Sequence, residues 1–134
     1  MTAIRVLVVE DDAANRTLAA RILAGRGFEP ELAEGGAVAL QMAAARPPDI
    51  VLMDLSMPGM DGWETTRRLR KLPGCDDIPV IALTAHAMSV DVEKASAAGC
   101  SLVLTKPYRP AQLLDAIAKV LGSSNRDSPT EPAR

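Results

Sequence analysis

Six side chains able to do metal or phosphate chemistry fall at four points along the chain. Glu10, Asp11 and Asp12 stand together, followed by Asp54, Thr84 and Lys106. Each point closes a short apolar run, so an acid, a hydroxyl or an amine marks the end of four such runs. Carboxylates gathered in one place repel one another and need a cation. Hard oxygen donors suit Mg²⁺, which takes one or two carboxylates, keeps several waters and binds phosphate oxygens. No His or Cys occupies these positions, so the set does not suit zinc. A carboxylate can itself be the nucleophile in phosphoryl transfer, giving an aspartyl phosphate. That chemistry rests on positioning and charge neutralisation, which a cation, the Lys106 ammonium and the Thr84 hydroxyl would supply around Asp54. Taken singly, each residue has a plainer reading: Asp12 as a helix cap, Asp54 as a turn cap, Thr84 as a strand end, Lys106 as an exposed lysine. Their shared placement favours the chemical reading.

The elements that must bring these residues together can be read from the hydrophobic pattern. Ile4 to Val9 is nearly continuous Val/Leu, as expected of a strand buried on both faces. Asp12 can cap a helix over Ala13 to Ala24, closed by Gly25 and Gly27. A weaker strand at Glu31 to Ala33 precedes a helix over Gly36 to Ala45, stopped by Pro47 and Pro48. Ile50 to Met53 is wholly apolar and ends at Asp54; Ser56-Met57-Pro58-Gly59 is turn chemistry. Asp61 with Glu64 can start a helix running to Leu72. Val80 to Leu83 ends at Thr84, a helix over about Ser89 to Ala97 stops at Gly99, and Leu102 to Leu104 ends at Lys106-Pro107. A last helix over Pro110 to Leu121 repeats Leu113, Ile117 and Leu121 at helical spacing.

Strands alternating with helices in this way predict an α/β fold with a doubly wound, five-stranded parallel sheet. In such sheets ligands bind at the carboxyl ends of the strands, near the topological switch point. With strand order 2-1-3-4-5, the first and third strands are neighbours and Asp11 and Asp54 converge. Residues 1–121 are expected to form the one domain, and the Ser/Pro/charged segment 122–134 a disordered tail.

Composition narrows the function. The 134 residues carry a formal charge of −2 and one each of Phe, Trp and Tyr, which disfavours nucleic acid as a partner. The cluster Arg67, Arg68, Arg70 and Lys71 is expected to be the solvated face of a helix. Cys75 and Cys100 are isolated from each other and read as buried or half-buried free thiols, in keeping with a reducing compartment. No secretion signal or membrane span is evident, so a soluble, cytoplasmic protein is expected.

Five segments in order resemble the receiver domain of two-component response regulators, over about residues 4 to 121. They are Val8-Val9-Glu10-Asp11-Asp12, Leu52-Met53-Asp54-Leu55 running into Met57-Pro58-Gly59-Met60-Asp61-Gly62, Pro79 through Ala85, Ala98-Gly99-Cys100, and Lys106-Pro107. The resemblance implies a flavodoxin-like (βα)5 fold. It also implies that Asp54 is the phosphoacceptor, charged by a sensor histidine kinase or a histidine phosphotransfer protein. Asp11 and Asp54 would bind Mg²⁺ directly, Glu10 partly through water, and the Ser56 backbone carbonyl would complete the protein ligands. Thr84 would be the switch hydroxyl, Lys106 the phosphate-pairing lysine, and the Lys106–Pro107 bond cis. The family usually has Tyr or Phe three residues before the lysine; here Val103 stands there, so the inward swing of an aromatic ring is not available. His86 reads as an exposed loop histidine, with the alternative that it tunes autodephosphorylation alongside the Ser56 position.

The signal would pass by contact with a downstream protein, through the face built from the last two helices and the fifth strand, or to a neighbouring domain. Any enzymatic activity would be limited to self-phosphorylation and autodephosphorylation. Two rivals remain open from sequence. A Mg²⁺-dependent phosphohydrolase commonly carries a second acid two residues after its nucleophile, where this chain has Ser56, and needs residues for a substrate cap. A phosphorylation-independent interaction module or phosphate sink is kept open by Val103.

Overall fold

The computed structural model describes residues 3–85, 97 and 99–124. In chain order these form β1 (Arg5–Val9), α1 (Ala13–Ala24), β2 (Glu29–Ala33), α2 (Gly36–Ala45), β3 (Ile50–Asp54), α3 (Gly62–Leu69), β4 (Val80–Thr84), β5 (Leu102–Thr105) and α4 (Pro110–Ser124). All strand pairings are parallel, in the order β2-β1-β3-β4-β5, as the sequence predicts.

The apolar runs form strands because helices cover both faces of the sheet. Successive side chains point to opposite faces, so each run feeds two cores. Val6, Val8, Ile50, Leu52, Ile81 and Leu83 meet Leu23 of α1 and Leu113 and Ile117 of α4. Leu7, Val9, Val51, Met53 and Val80 meet Ala39 and Ala43 of α2 and Leu69 of α3. Each fully buried Leu, Ile or Val contributes about 1.5–3 kcal/mol. Alanines on α2 let that helix lie close to the sheet.

Helix starts follow their caps. Asp12 accepts from the Asn15 amide at 2.9 Å, and Asp61 from the Glu64 amide at 3.0 Å. α3 ends at Leu69 rather than Leu72, because Lys71 and Leu72 turn tighter, bonding to the carbonyls of Arg68 and Leu69. β2 begins two residues earlier than expected, at Glu29, and α4 runs on through Ser124, beyond the expected end at Leu121. The rest of the expected tail, 125–134, lies outside the described residues, as do His86 and, apart from Ala97, the expected helix over Ser89 to Ala97.

One member of the basic cluster departs from expectation. Arg67 and Arg68 are exposed and pair with Glu64, but Arg70 is half-buried. Its guanidinium donates to the carbonyls of Gly99 (2.6 Å), Cys75 (3.3 Å) and Ile78, tying the segment before β4 to the one before β5. Cys75 is buried and Cys100 half-buried, both as free thiols.

Candidate functional site

β1 and β3 lie side by side, with Val9 opposite Met53, so their carboxyl ends emerge together. β3 ends on Asp54, which is 1 % exposed, and β1 leads directly into Glu10, which is 3 % exposed. Asp11 is exposed above them. Carboxylate oxygens of Glu10, Asp11 and Asp54 all lie within 4.8 Å of one another. Unit charges at about 4 Å repel by roughly 4 kcal/mol at an effective dielectric of 20, so this edge of the sheet attracts a cation.

Part of that demand is met by Lys106, at the end of β5. Its ammonium lies 3.3 Å from Glu10 Oε1 and 3.4 Å from Asp54 Oδ1. Its amide donates to the Thr84 carbonyl at 2.7 Å, which holds the lysine at this strand end, and the Lys106–Pro107 peptide is cis. Thr84 closes β4, is 3 % exposed and sits opposite Thr105. The Ser56 amide donates to Asp54 Oδ1 at 3.0 Å, fixing the turn that carries the Ser56 carbonyl. The sequence-predicted residues Glu10, Asp11, Asp54, Ser56, Thr84 and Lys106 therefore all stand at one sheet edge, while Asp12 serves as the α1 cap.

Crowding shows in the proton affinities. Burial, a hydrogen bond to Asp54 and the Asp54 charge push the Glu10 carboxyl up to about 7, against the pull of Lys106. For Lys106 burial alone would lower the ammonium pKa, but Asp54 and Glu10 outweigh it and the net direction is upward.

Two residues that sequence reasoning did not single out shape this edge. A Cβ on Gly62 would strike the Asp54 carbonyl oxygen and come within 2.8 Å of Leu55 Cα, so only glycine lets α3 start against the end of β3. Arg16 binds the carbonyls of the acidic loop; its only signal in the sequence is an arginine in the first turn of a helix that follows acids. Beside the site, Asn15, Leu18, Ala85, Pro107 and Tyr108 join Glu10 and Lys106 around a cavity of about 290 Å³.

The family model for the response regulator receiver domain matches residues 6–118. The chain belongs to that family. The polar-differentiation response regulator DivK of Brucella ovis is 34 % identical to this receiver over 119 residues, covering 89 % of this chain and 97 % of DivK. The chemotaxis protein CheY4 of Vibrio cholerae superposes with a TM-score of 0.87 at 28 % identity, over 89 % of this chain and 99 % of that one. The receiver domain of the sensor histidine kinase PA1611 from Pseudomonas aeruginosa PAO1, solved with a magnesium ion coordinated in its active site cleft, gives 0.83 at 32 % identity, over 90 % and 99 %. The chain is thus a receiver domain of phosphorylation-activated two-component signalling, with the fold of the chemotaxis regulators. The family is in general one of non-enzymatic switches, and the match places this chain there rather than among phosphohydrolases. Among the described residues no helix is long and apolar enough to cross a membrane.

Proposed function

We propose that Asp54 is the phosphoacceptor of this receiver and that Glu10, Asp11, Asp54 and the Ser56 carbonyl hold Mg²⁺ beside it. The observation that carries this reading is the buried Asp54 carboxylate, with the Lys106 ammonium 3.4 Å away and two further carboxylates in reach. The donor set is all oxygen, of the kind Mg²⁺ takes. When bound, the ion would neutralise charge on the phosphoryl oxygens.

In the transfer, an Asp54 carboxylate oxygen attacks phosphorus on a phosphohistidine of a sensor kinase or phosphotransfer protein. The new O–P bond forms as the P–N bond breaks, and its electron pair returns to the imidazole. The phosphoryl group carries about −1.5 to −2 charge but replaces the −1 of the carboxylate, so the net gain at this buried position is about −0.5 to −1. Lys106 is already there to pair with it. The Thr84 hydroxyl, at the next strand end, turns toward the added phosphate and shifts the end of β4 with it. The altered surface then changes affinity for a downstream protein; a modification shifts that equilibrium only by interacting differently with the two states. Phosphorylation from a small donor and slow loss of the phosphate are the only turnover expected. We place this activity in the cytoplasm, with residues 1–121 as the working unit.

Incubation with acetyl phosphate and Mg²⁺, followed by intact mass measurement, tests the reading. One phosphoryl adduct should form, and neither Asp54→Ala nor wild type in EDTA should form it. An adduct that persists in Asp54→Ala would overturn the assignment.

A further inference from the structure

Three successive carbonyls of the acidic loop accept from one residue. The Arg16 backbone amide donates to the Asp12 carbonyl at 2.9 Å, the first bond of α1. Its side chain turns back toward the helix N-terminus, as helical side chains do. There Nη1 donates to the Glu10 carbonyl at 2.9 Å and the Asp11 carbonyl at 3.2 Å. The three peptide planes from Glu10 to Ala13 are thereby tied to Arg16.

Nothing in the helix itself asks for a cation at that place. A positive side chain at a helix N-terminus opposes the helix dipole by about 0.3–1 kcal/mol, and the first turn of α1 contains no acid to offset it. The guanidinium is instead matched to the loop. Glu10 is anchored on all sides: its amide donates to the Ala33 carbonyl at 3.1 Å, Oε1 meets Lys106 at 3.3 Å, and Oε2 accepts from the Asp12 amide at 3.3 Å. Asp11 differs. It is exposed, and the peptide that follows it is held on one side by the Arg16 contact at its carbonyl (3.2 Å) and on the other by the Asp12 amide bond to Glu10 (3.3 Å).

We infer that Arg16 is a positioning residue: by clamping the Glu10 and Asp11 carbonyls it aims the Asp11 carboxylate at the site shared with Asp54. The inference rests on the reading of Glu10, Asp11 and Asp54 as the Mg²⁺ site. Losing a group that orients a metal ligand typically costs about 10–100-fold in metal affinity.

Mg²⁺ affinity, measured by calorimetric titration of the metal into the metal-free chain, tests it. Arg16→Ala should bind Mg²⁺ at least about tenfold more weakly, and Arg16→Lys, which keeps a donor, should recover part of the loss. Arg21→Ala removes the same charge from the exposed last turn of α1 and should leave the affinity unchanged. Unfolding midpoints in EDTA, taken for every variant, show whether each is folded. A purely structural role would lower the midpoint of Arg16→Ala with wild-type Mg²⁺ affinity, and that result overturns the inference while leaving the metal reading intact. An equal loss of affinity in Arg21→Ala overturns it in favour of simple charge. Failure of the wild type itself to bind Mg²⁺ overturns the metal reading and the inference with it. Should Arg16→Ala not fold, Arg16→Lys and Arg16→Gln carry the comparison: equal, wild-type affinity in both overturns the inference.

Discussion

Glu10 and Asp54 share one ammonium and lie almost wholly out of water, so without a metal the edge of the sheet carries more negative charge than it can pair. The consequence is a proton held by the Glu10 carboxyl up to about pH 7, against an ordinary value of 4.5. Between those values the folded chain binds a proton that the unfolded chain has released. Folding stability in EDTA should therefore be fully supported below about pH 4.5 by this group and should fall as pH rises through about 7. Glu10→Gln removes the titrating group and should flatten that decline. Chemical denaturation at several pH values between 5 and 8 measures it; an equal decline in wild type and Glu10→Gln would show that Glu10 does not carry the proton. The acidic residues were legible from the sequence because they close apolar runs, but Arg16 and Arg70 were not. Both act by donating to backbone carbonyls distant from any sequence pattern, and a contact to a main-chain oxygen places no constraint on the residue type that supplies it.

At the level of elements, the strands were readable where two helical layers cover them. Val51 to Met53 and Val80 to Leu83 are apolar without a break because both faces are buried. β2 was harder to place. It is an edge strand whose sequence Glu-Pro-Glu-Leu-Ala is largely exposed or half-buried, so its first two residues have no apolar signature. The end of α3 was likewise obscured, since Arg70 resembles another exposed basic residue until its carbonyl partners are known. The start of α3 bears most on function. Alanine is the better helix former than glycine by about 1 kcal/mol, so on propensity alone Gly62→Ala would stabilise the chain. The contact with the Asp54 carbonyl reverses the sign: Gly62→Ala should destabilise by about 1–3 kcal/mol, the usual cost of overpacking. It should also slow phosphoryl transfer, because relief of the clash moves either α3 or the acceptor strand. A stability equal to wild type would mean that α3 does not press on β3 in solution.

For the molecule as a whole, the 2-1-3-4-5 order is what makes a site from residues far apart in sequence. It sets β1 against β3, and β4 and β5 next in line, so the acids, Thr84 and Lys106 stand along one edge. The alternation of strands and helices and the handedness of their crossovers left few ways to wind the sheet, and the flavodoxin-like fold is the one expected among them. The partner that reads the switch did not follow, because a docking surface is set by shape rather than by spacing. Mg²⁺ bound only by the folded chain should stabilise it as a whole, by about 2.7 kcal/mol at a hundred times the dissociation constant. Thermal unfolding with and without excess Mg²⁺ reads that gain, which Asp11→Asn should largely remove. A gain of wild-type size in Asp11→Asn would place the ion elsewhere.

The assignment of Asp54 is tested most directly by locating the phosphoryl group itself. The chain is phosphorylated with acetyl phosphate and Mg²⁺ and reduced with borohydride, which converts an aspartyl phosphate to homoserine, then digested and sequenced by mass spectrometry. Homoserine at position 54 and at no other aspartate is the expected result. Homoserine at Asp11 or Asp12, or an adduct that borohydride does not reduce, would contradict the assignment of Asp54 as the acceptor.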